Sequence, residues 1–230
     1  MKKNKAICDV NSCFMCKNCI NGWHHAIQYA KINIKLKRGE KLFKEGDAVT
    51  GIYFVYQGNI KVSKQWDEEK ELILRFATNG AILGHRGLGE NLTYPISATA
   101  IEDSIICYVD MGFFESTLRV NNELTFQLVN FFANELRVSE RRMRDLAHMP
   151  VKGRVADALL KLHKQFGITQ EGFINIRLSR QDLASYAGTT YETVFRVVNE
   201  LATDGLVSVL GKSITITNHD ALATLIPSTN

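Results

Sequence analysis

Cys13, Cys16 and Cys19 stand with two residues between successive cysteines in the run CFMCKNC. That is the spacing of an iron–sulfur ligand run, in which one loop wraps its thiolates around a face of a cluster and leaves the fourth iron for a sulfur from elsewhere. Cys107, in the apolar run AIEDSIICYV, is the distant candidate for that fourth ligand. The chemistry stays open at this point. Cys8 with Cys13, Cys16 and Cys19 would instead close a tetrahedral structural zinc site. Simple redox thiols are a third reading, and the plainest role for Cys107 is that of a buried apolar residue in a strand.

A second constellation lies towards the C-terminus. Ser179 with Asp182 three residues on reads as a helix start, opening a helix over 181–186. Gly188 reads as a tight turn, and Thr190 as the cap of a second helix over 191–203. Helix, short turn, helix is the geometry that lays the second helix in the major groove of DNA, with its first side chains at base edges. Thr189, Thr190, Tyr191, Glu192, Phe195 and Arg196 fall on the exposed face, and Val194, Val197, Val198 and Leu201 turn inward. Arginine bonds guanine with both arms and glutamate accepts from a cytosine amino group, so Glu192 and Arg196, one turn apart, can address neighbouring base pairs. The competing reading is an ion pair between the two on a solvated helix face.

These residues need a frame. Between Ile32 and Val109 the chain runs in short β-branched and aromatic stretches, among them 52–56, 60–62, 72–76 and 105–109, punctuated by glycines at 39, 46, 51, 58, 80 and 84. That pattern predicts an antiparallel barrel or sandwich. After Met111 the period becomes helical. Thr125, Val129, Phe132, Leu136, Ser139, Met143 and Leu146 step by four and three, the seam of a helix that pairs with a second copy of itself. Pro150 stops that helix and places a hinge there. Beyond it come an amphipathic helix over 151–166, a short strand over 173–178, and a hairpin of 206–210 with 213–217 about Gly211-Lys212; the hairpin reads as a wing. The fold class is α+β. The expected organisation is a cysteine-rich segment at 1–30, a jelly-roll-like β-roll at 31–112, a helical region with the dimerisation helix at 113–149, and a winged helix-turn-helix domain at 150–230. A short stretch near Trp23 to Ala30 has room for a helical turn or two.

Composition bounds the reading. At 230 residues and 45% hydrophobic, two packed cores are affordable. A net charge of +4 suits nucleic acid without arguing for it, and from Val151 onward eight basic face seven acidic side chains, so a DNA-binding face must come from placement. The basic N-terminus is followed by cysteines and polar residues in place of an apolar run, so neither a signal peptide nor a membrane span is expected, and the cytosol is the default compartment. There thiols stay reduced, which favours metal or redox roles over disulfides.

The stretch LSRQDLASYAGTTYETVFRVVNELATDGLVSVLGKSITI resembles the helix-turn-helix and wing of the Crp/Fnr family, with its E-T-V-x-R core at Glu192 to Arg196. Upstream, LRVSERRMRDLAHMPVKGRVADALL resembles the family's dimer helix and hinge, and the glycine-punctuated strands resemble its cyclic-nucleotide-type β-roll. The resemblance implies a homodimeric transcription regulator on a palindromic duplex, with RNA polymerase as a further partner. Glu192 and Arg196, with Tyr191 and Thr190 beside them, become base readers; Ser179, Arg180, Gln181, Thr189 and Lys212 become phosphate contacts. Tyr191 stands where cAMP-type members carry arginine, which places the chain on the Fnr side, and Cys107 corresponds to the fourth cluster ligand there. The family's cAMP site pairs Gly-Glu with Arg-Ser-Ala. This chain has Gly84-His85 and Ile96-Ser97-Ala98, with Arg86 as a weak substitute for the missing arginine. A buried phosphate would lack its partner, so the residues argue against cAMP and leave open another small ligand near Gly84, His85, Arg86, Ser97 and Ala98.

Other classes fare worse. No Gly-rich phosphate loop, His-Glu-x-x-His or G-x-S-x-G is present, so an enzyme is not expected. An iron–sulfur electron carrier needs neither a coiled-coil helix nor a recognition helix.

Overall fold

The structure, a computed structural model, describes residues 9–67 and 70–227. Period-two alternation produces eight strands: β1 (Ile32–Leu36), β2 (Lys41–Phe43), β3 (Gly51–Gln57), β4 (Ile60–Gln65), β5 (Glu71–Ala77), β6 (Ile82–Leu83), β7 (Ser97–Ala100) and β8 (Ser104–Asp110). They form two antiparallel sheets, ordered β1-β8-β3-β6 and β2-β7-β4-β5. Strand β3 is buried on both faces. Its Tyr53 and Val55 enter one core with Phe43, Ile60, Val62 and Ile106. Its Ile52 and Phe54 enter a second core with Cys107 and Val109. Each large side chain removed from water there contributes roughly 1.5–3 kcal/mol before entropy is counted.

That second core has a helical cover. It takes Met15 from α1 (Phe14–Asn18), Ile27 from α2 (His24–Ala30), Phe114 from α3 (Met111–Val120) and Leu124 from α4 (Asn122–His148). The turn or two of helix expected near 23–30 is α2, while α1 interrupts what the spacing suggested was a loop. The N-terminal segment is fastened at several points. The Phe14 amide donates to the Gly80 carbonyl at 2.9 Å. Gly80 has a φ of +84°, and a Cβ there would lie 2.1 Å from the Ser12 carbonyl, so only glycine admits this approach. The Trp23 indole donates to the Thr117 hydroxyl at 3.0 Å, and the Ile20 amide to the Asn121 side chain at 2.9 Å.

The remaining elements are α5 (Val151–Phe166), α6 (Arg180–Ala187), α7 (Tyr191–Thr203), β9 (Val207–Leu210), β10 (Ser213–Ile216) and α8 (His219–Ala223). The chain divides into two compact units between Leu136 and Arg137, inside α4, and not at Pro150. Pro150 does end α4 and precedes α5. The last turns of α4 nevertheless belong with the second unit, because Arg154 on α5 donates to the carbonyls of Leu146 and Met149 as well as to those of Ala187 and Gly188, all at 3.1 to 3.2 Å.

The strand expected over 173–178 does not form. A single bridge joins Ile168 to Ile174, and the Ile174 amide donates to Ile214 of β10 at 2.9 Å. Ile174 and Leu178 instead bury their side chains. No helix among the described residues is long and apolar enough to cross a membrane.

Candidate functional site

The helix-turn-helix is set by its caps. The Ser179 hydroxyl accepts the Asp182 amide at 2.9 Å while the Ser179 amide donates to the Asp182 carboxylate at 3.1 Å, a reciprocal capping box. Gly188 takes the left-handed conformation that ends α6. The Thr190 hydroxyl accepts the Thr193 amide at 3.3 Å and starts α7. Val194, Val197, Val198 and Leu201 are buried, as expected, and Thr190, Tyr191, Glu192, Phe195 and Arg196 are exposed. The expected Glu192–Arg196 alternative is replaced: Arg196 pairs with Glu200, at 2.7 Å. Tyr191 and Phe195 stack at 6.3 Å with 16° between their planes.

The proposed phosphate contacts divide. Gln181 and Lys212 are exposed, and Thr189 is half-buried. Ser179 spends its hydroxyl on the capping box, where it also donates to Asp182 at 2.6 Å. Arg180 reaches the wing, donating to the carbonyls of Gly211 and Lys212 at 3.1 and 3.2 Å. Partial burial holds its guanidinium below the usual arginine range. Nothing in residue spacing announced this bond, since its acceptors are backbone atoms about thirty residues away.

At the other end, α1 carries the cysteine run. Cys13 precedes the helix, Cys16 lies within it and Cys19 follows it. Cys16, Cys19 and Cys107 share the second core, with Cys13 packed against it. Cys13 and Cys107 line one small cavity with Asp9, Ser12 and Tyr56. Burial, and secondarily Cys13, push the Cys19 thiol up to about 12. The Cys107 thiol meets the Asn33 side chain at 3.5 Å. Cys8 lies outside the described residues. Among the described residues no three histidine, cysteine or acidic side chains converge as the ligands of a single ion.

Comparison with known proteins places this arrangement. The Crp-like helix-turn-helix domain family matches residues 153–225, and the cyclic nucleotide-binding domain family matches residues 33–121. The chain belongs to the Crp/Fnr family. It is a DNA-binding transcription regulator and not an enzyme. It is 29% identical over 178 residues to the anaerobic regulatory protein of Bacillus subtilis, across 76% of this chain and 75% of that one. It is 28% identical over 194 residues to the fumarate and nitrate reduction regulatory protein of Escherichia coli strain K12, across 83% of this chain and 76% of that one. The fold matches the structure of FixK2 from Bradyrhizobium japonicum with a TM-score of 0.76 at 24% identity, covering 87% of this chain and 99% of that one.

In this Crp/Fnr chain the five residues expected near an effector have different neighbours. Tyr94 fills the β-roll interior, stacked on Phe43 at 4.1 Å and donating its hydroxyl to the Gly51 carbonyl at 2.8 Å. A Cβ at Gly84 would meet Tyr94 and Tyr53. Ala98 is in the core, and the Ser97 hydroxyl accepts the Glu45 amide at 3.0 Å. His85 and Arg86 turn to α4: Arg86 pairs with Glu135 at 2.7 Å, and the His85 ring meets Phe131 and Phe132 at 4.9 and 5.5 Å.

The proposed seam on α4 is open in the single chain. Val129, Phe132, Leu136, Ser139 and Met143 are exposed, and Leu146 is half-buried. Phe126, which flanks the seam, and Val138, on the far side of α4, are exposed as well.

Proposed function

We propose that this regulator works as a homodimer joined along the α4 seam, reads a palindromic duplex with α7, and takes its signal at Cys13, Cys16, Cys19 and Cys107. The observation that carries the sensor reading is the alternation of β8. Ile106 faces the inter-sheet core and Cys107 the opposite face, the one the cysteine helix covers. Four sulfurs on one side of one sheet are a soft donor set that fits an iron–sulfur cluster. A mononuclear zinc needs all its sulfurs about 2.3 Å from one point. Bound there, a cluster would supply oxygen- and redox-sensitive chemistry. The names of the relatives, an anaerobic and a fumarate and nitrate reduction regulator, favour that signal.

The chain's own residues carry the rest. Phe14 of the cysteine helix meets Phe131 of α4 at 5.4 Å, and Phe131 touches His85 and neighbours Phe132 of the seam. The cysteine segment therefore bears on the helix that pairs the two copies. On DNA, Glu192, Arg196, Tyr191 and Thr190 face base edges, while Arg180, Gln181, Thr189 and Lys212, and Ser179 through its cap, set α7 against the phosphates. RNA polymerase is the further partner at the promoter.

Protein purified without oxygen should be brown and contain iron and acid-labile sulfide, both lost in Cys107→Ala, and should bind a selected duplex as a dimer. Colourless protein holding one zinc, unchanged by Cys107→Ala, ends the sensor reading and leaves the DNA reading intact.

A further inference from the structure

The recognition helix presents two kinds of chemistry. Glu192 and Arg196 are polar readers, and beside their stripe on α7 lies an apolar plate made by Tyr191 and Phe195, whose rings are nearly parallel and 6.3 Å apart. The two are 44% and 51% exposed, on the flank of α7 between its buried valines and the stripe of Glu192 and Arg196. Two large aromatics left open side by side on a helix of 13 residues cost solubility with no gain from folding. Their exposure is explained if the surface they meet is itself partly apolar.

Along the major groove only thymine offers such a surface, its 5-methyl group, and phenylalanine is among the side chains that recognise it by contact. Phe195 is exposed on the flank of α7 about 100° round from Arg196, so a helix laid in the groove with Arg196 at a base turns the Phe195 ring towards the neighbouring base pairs. Tyr191, one turn earlier, stacks on that ring and limits the directions in which it can turn. Glu200 holds Arg196 on the side away from Glu192.

We infer that Phe195 is a specificity-determining residue that reads one or two thymine methyl groups in each half-site, with Tyr191 as its positioning residue. The inference rests on the proposed docking of α7 in the major groove. Removing one methyl from the contact should cost about fourfold in affinity, the worth of one buried carbon.

The test uses the full-length protein, purified without oxygen, and the duplex it selects from a random pool. Each thymine of the half-site is replaced in turn by uracil, which differs from it only by the methyl group. Expected is a loss of about fourfold at one or two positions adjoining the base pair that Arg196→Ala relaxes. Phe195→Ser should abolish that loss while keeping the preference at the Arg196 position. Phe195 is exposed, so the variant should retain its melting temperature, and a melting curve checks that it folds. Uracil tolerated at every thymine by the unaltered protein, or a loss that persists in Phe195→Ser, overturns the inference and leaves the docking of α7 standing. Selection that yields no sequence preference overturns that docking and the inference with it.

Discussion

Arg196 lies 2.7 Å from the Glu200 carboxylate, one turn further along α7, and is not paired with Glu192. Both partners are largely exposed, so the pair adds little to stability, but it competes with any base for the same guanidinium. Glu200→Gln frees Arg196 and removes a negative charge from the DNA-facing helix. Affinity for the selected duplex should rise by about twofold to fivefold. Arg196→Ala should cost roughly 1–3 kcal/mol and relax one base position. Titration of labelled duplexes with single base changes measures both; an Arg196→Ala protein with unaltered base preference would contradict the docking of α7.

Arg180 has two roles to separate. Its fork holds the wing through Gly211 and Lys212, and its charge is available to phosphate. Arg180→Lys keeps the charge and loses the paired geometry. Arg180→Ala should weaken all sequences alike and flatten the salt dependence of binding. Arg180→Lys should keep the salt slope near that of the parent while the wing amides around Gly211 exchange faster with solvent. Equal salt slopes for the parent and the alanine variant would remove Arg180 from the phosphate contacts.

The seam makes a prediction about assembly. Leu136 is 60% exposed in the single chain, so a charge there costs the monomer little and strikes mainly at a helix partner. Leu136→Glu should therefore give a monomer by light scattering and lose specific DNA binding, whereas Arg141→Ala should leave the dimer intact. Phe132 is a poorer probe because its ring also rests on His85. A dimer mass for Leu136→Glu would contradict the seam assignment.

What the residues announced and what they hid differ for physical reasons. Helix α5 spans 151–166 and α7 spans 191–203, as their apolar periods predict, because each buries one continuous stripe. The wing also emerged, as Gly211 takes the positive φ its turn needs. The segment 173–178 misled because Ile174, Ile176 and Leu178 alternate like a strand, but its pairing is confined to one bond to Ile214 and a tight turn back on residues 167–169. Helix α1 was hidden because five residues are too few to show a period. At the site, residue types and spacing picked out the exposed face of α7 and the cysteine run. Pairings between distant elements left no local trace: Arg180 with the wing backbone, Arg154 with two helix ends, and Arg86 with Glu135.

The last prediction concerns His85, which is 1% exposed and has neither ring nitrogen hydrogen-bonded. The charged groups facing it are Arg75, Arg86 and Glu135; the Glu135 carboxylate is 4.0 Å from Nε2 and lies 2.7 Å from Arg86 and 3.8 Å from Arg75. Burial first, then Arg75 and Arg86, depress the imidazole to about 3. An unfolded histidine titrates near 6.5, so between those values the unfolded chain binds a proton that the folded chain refuses. Stability at this group is complete above about pH 6.5 and falls as pH drops towards 3. From about pH 7.5 to about pH 5 the loss should be about 2 kcal/mol. His85→Leu removes the titration and the two unsatisfied nitrogens while keeping an apolar neighbour for Phe131 and Phe132. Denaturant unfolding at both pH values should show the parent losing stability to acid by about that amount more than the variant, with the variant at least as stable at about pH 5. Equal losses in the two proteins would mean that His85 takes up its proton over the same pH range in the folded chain as in the unfolded one.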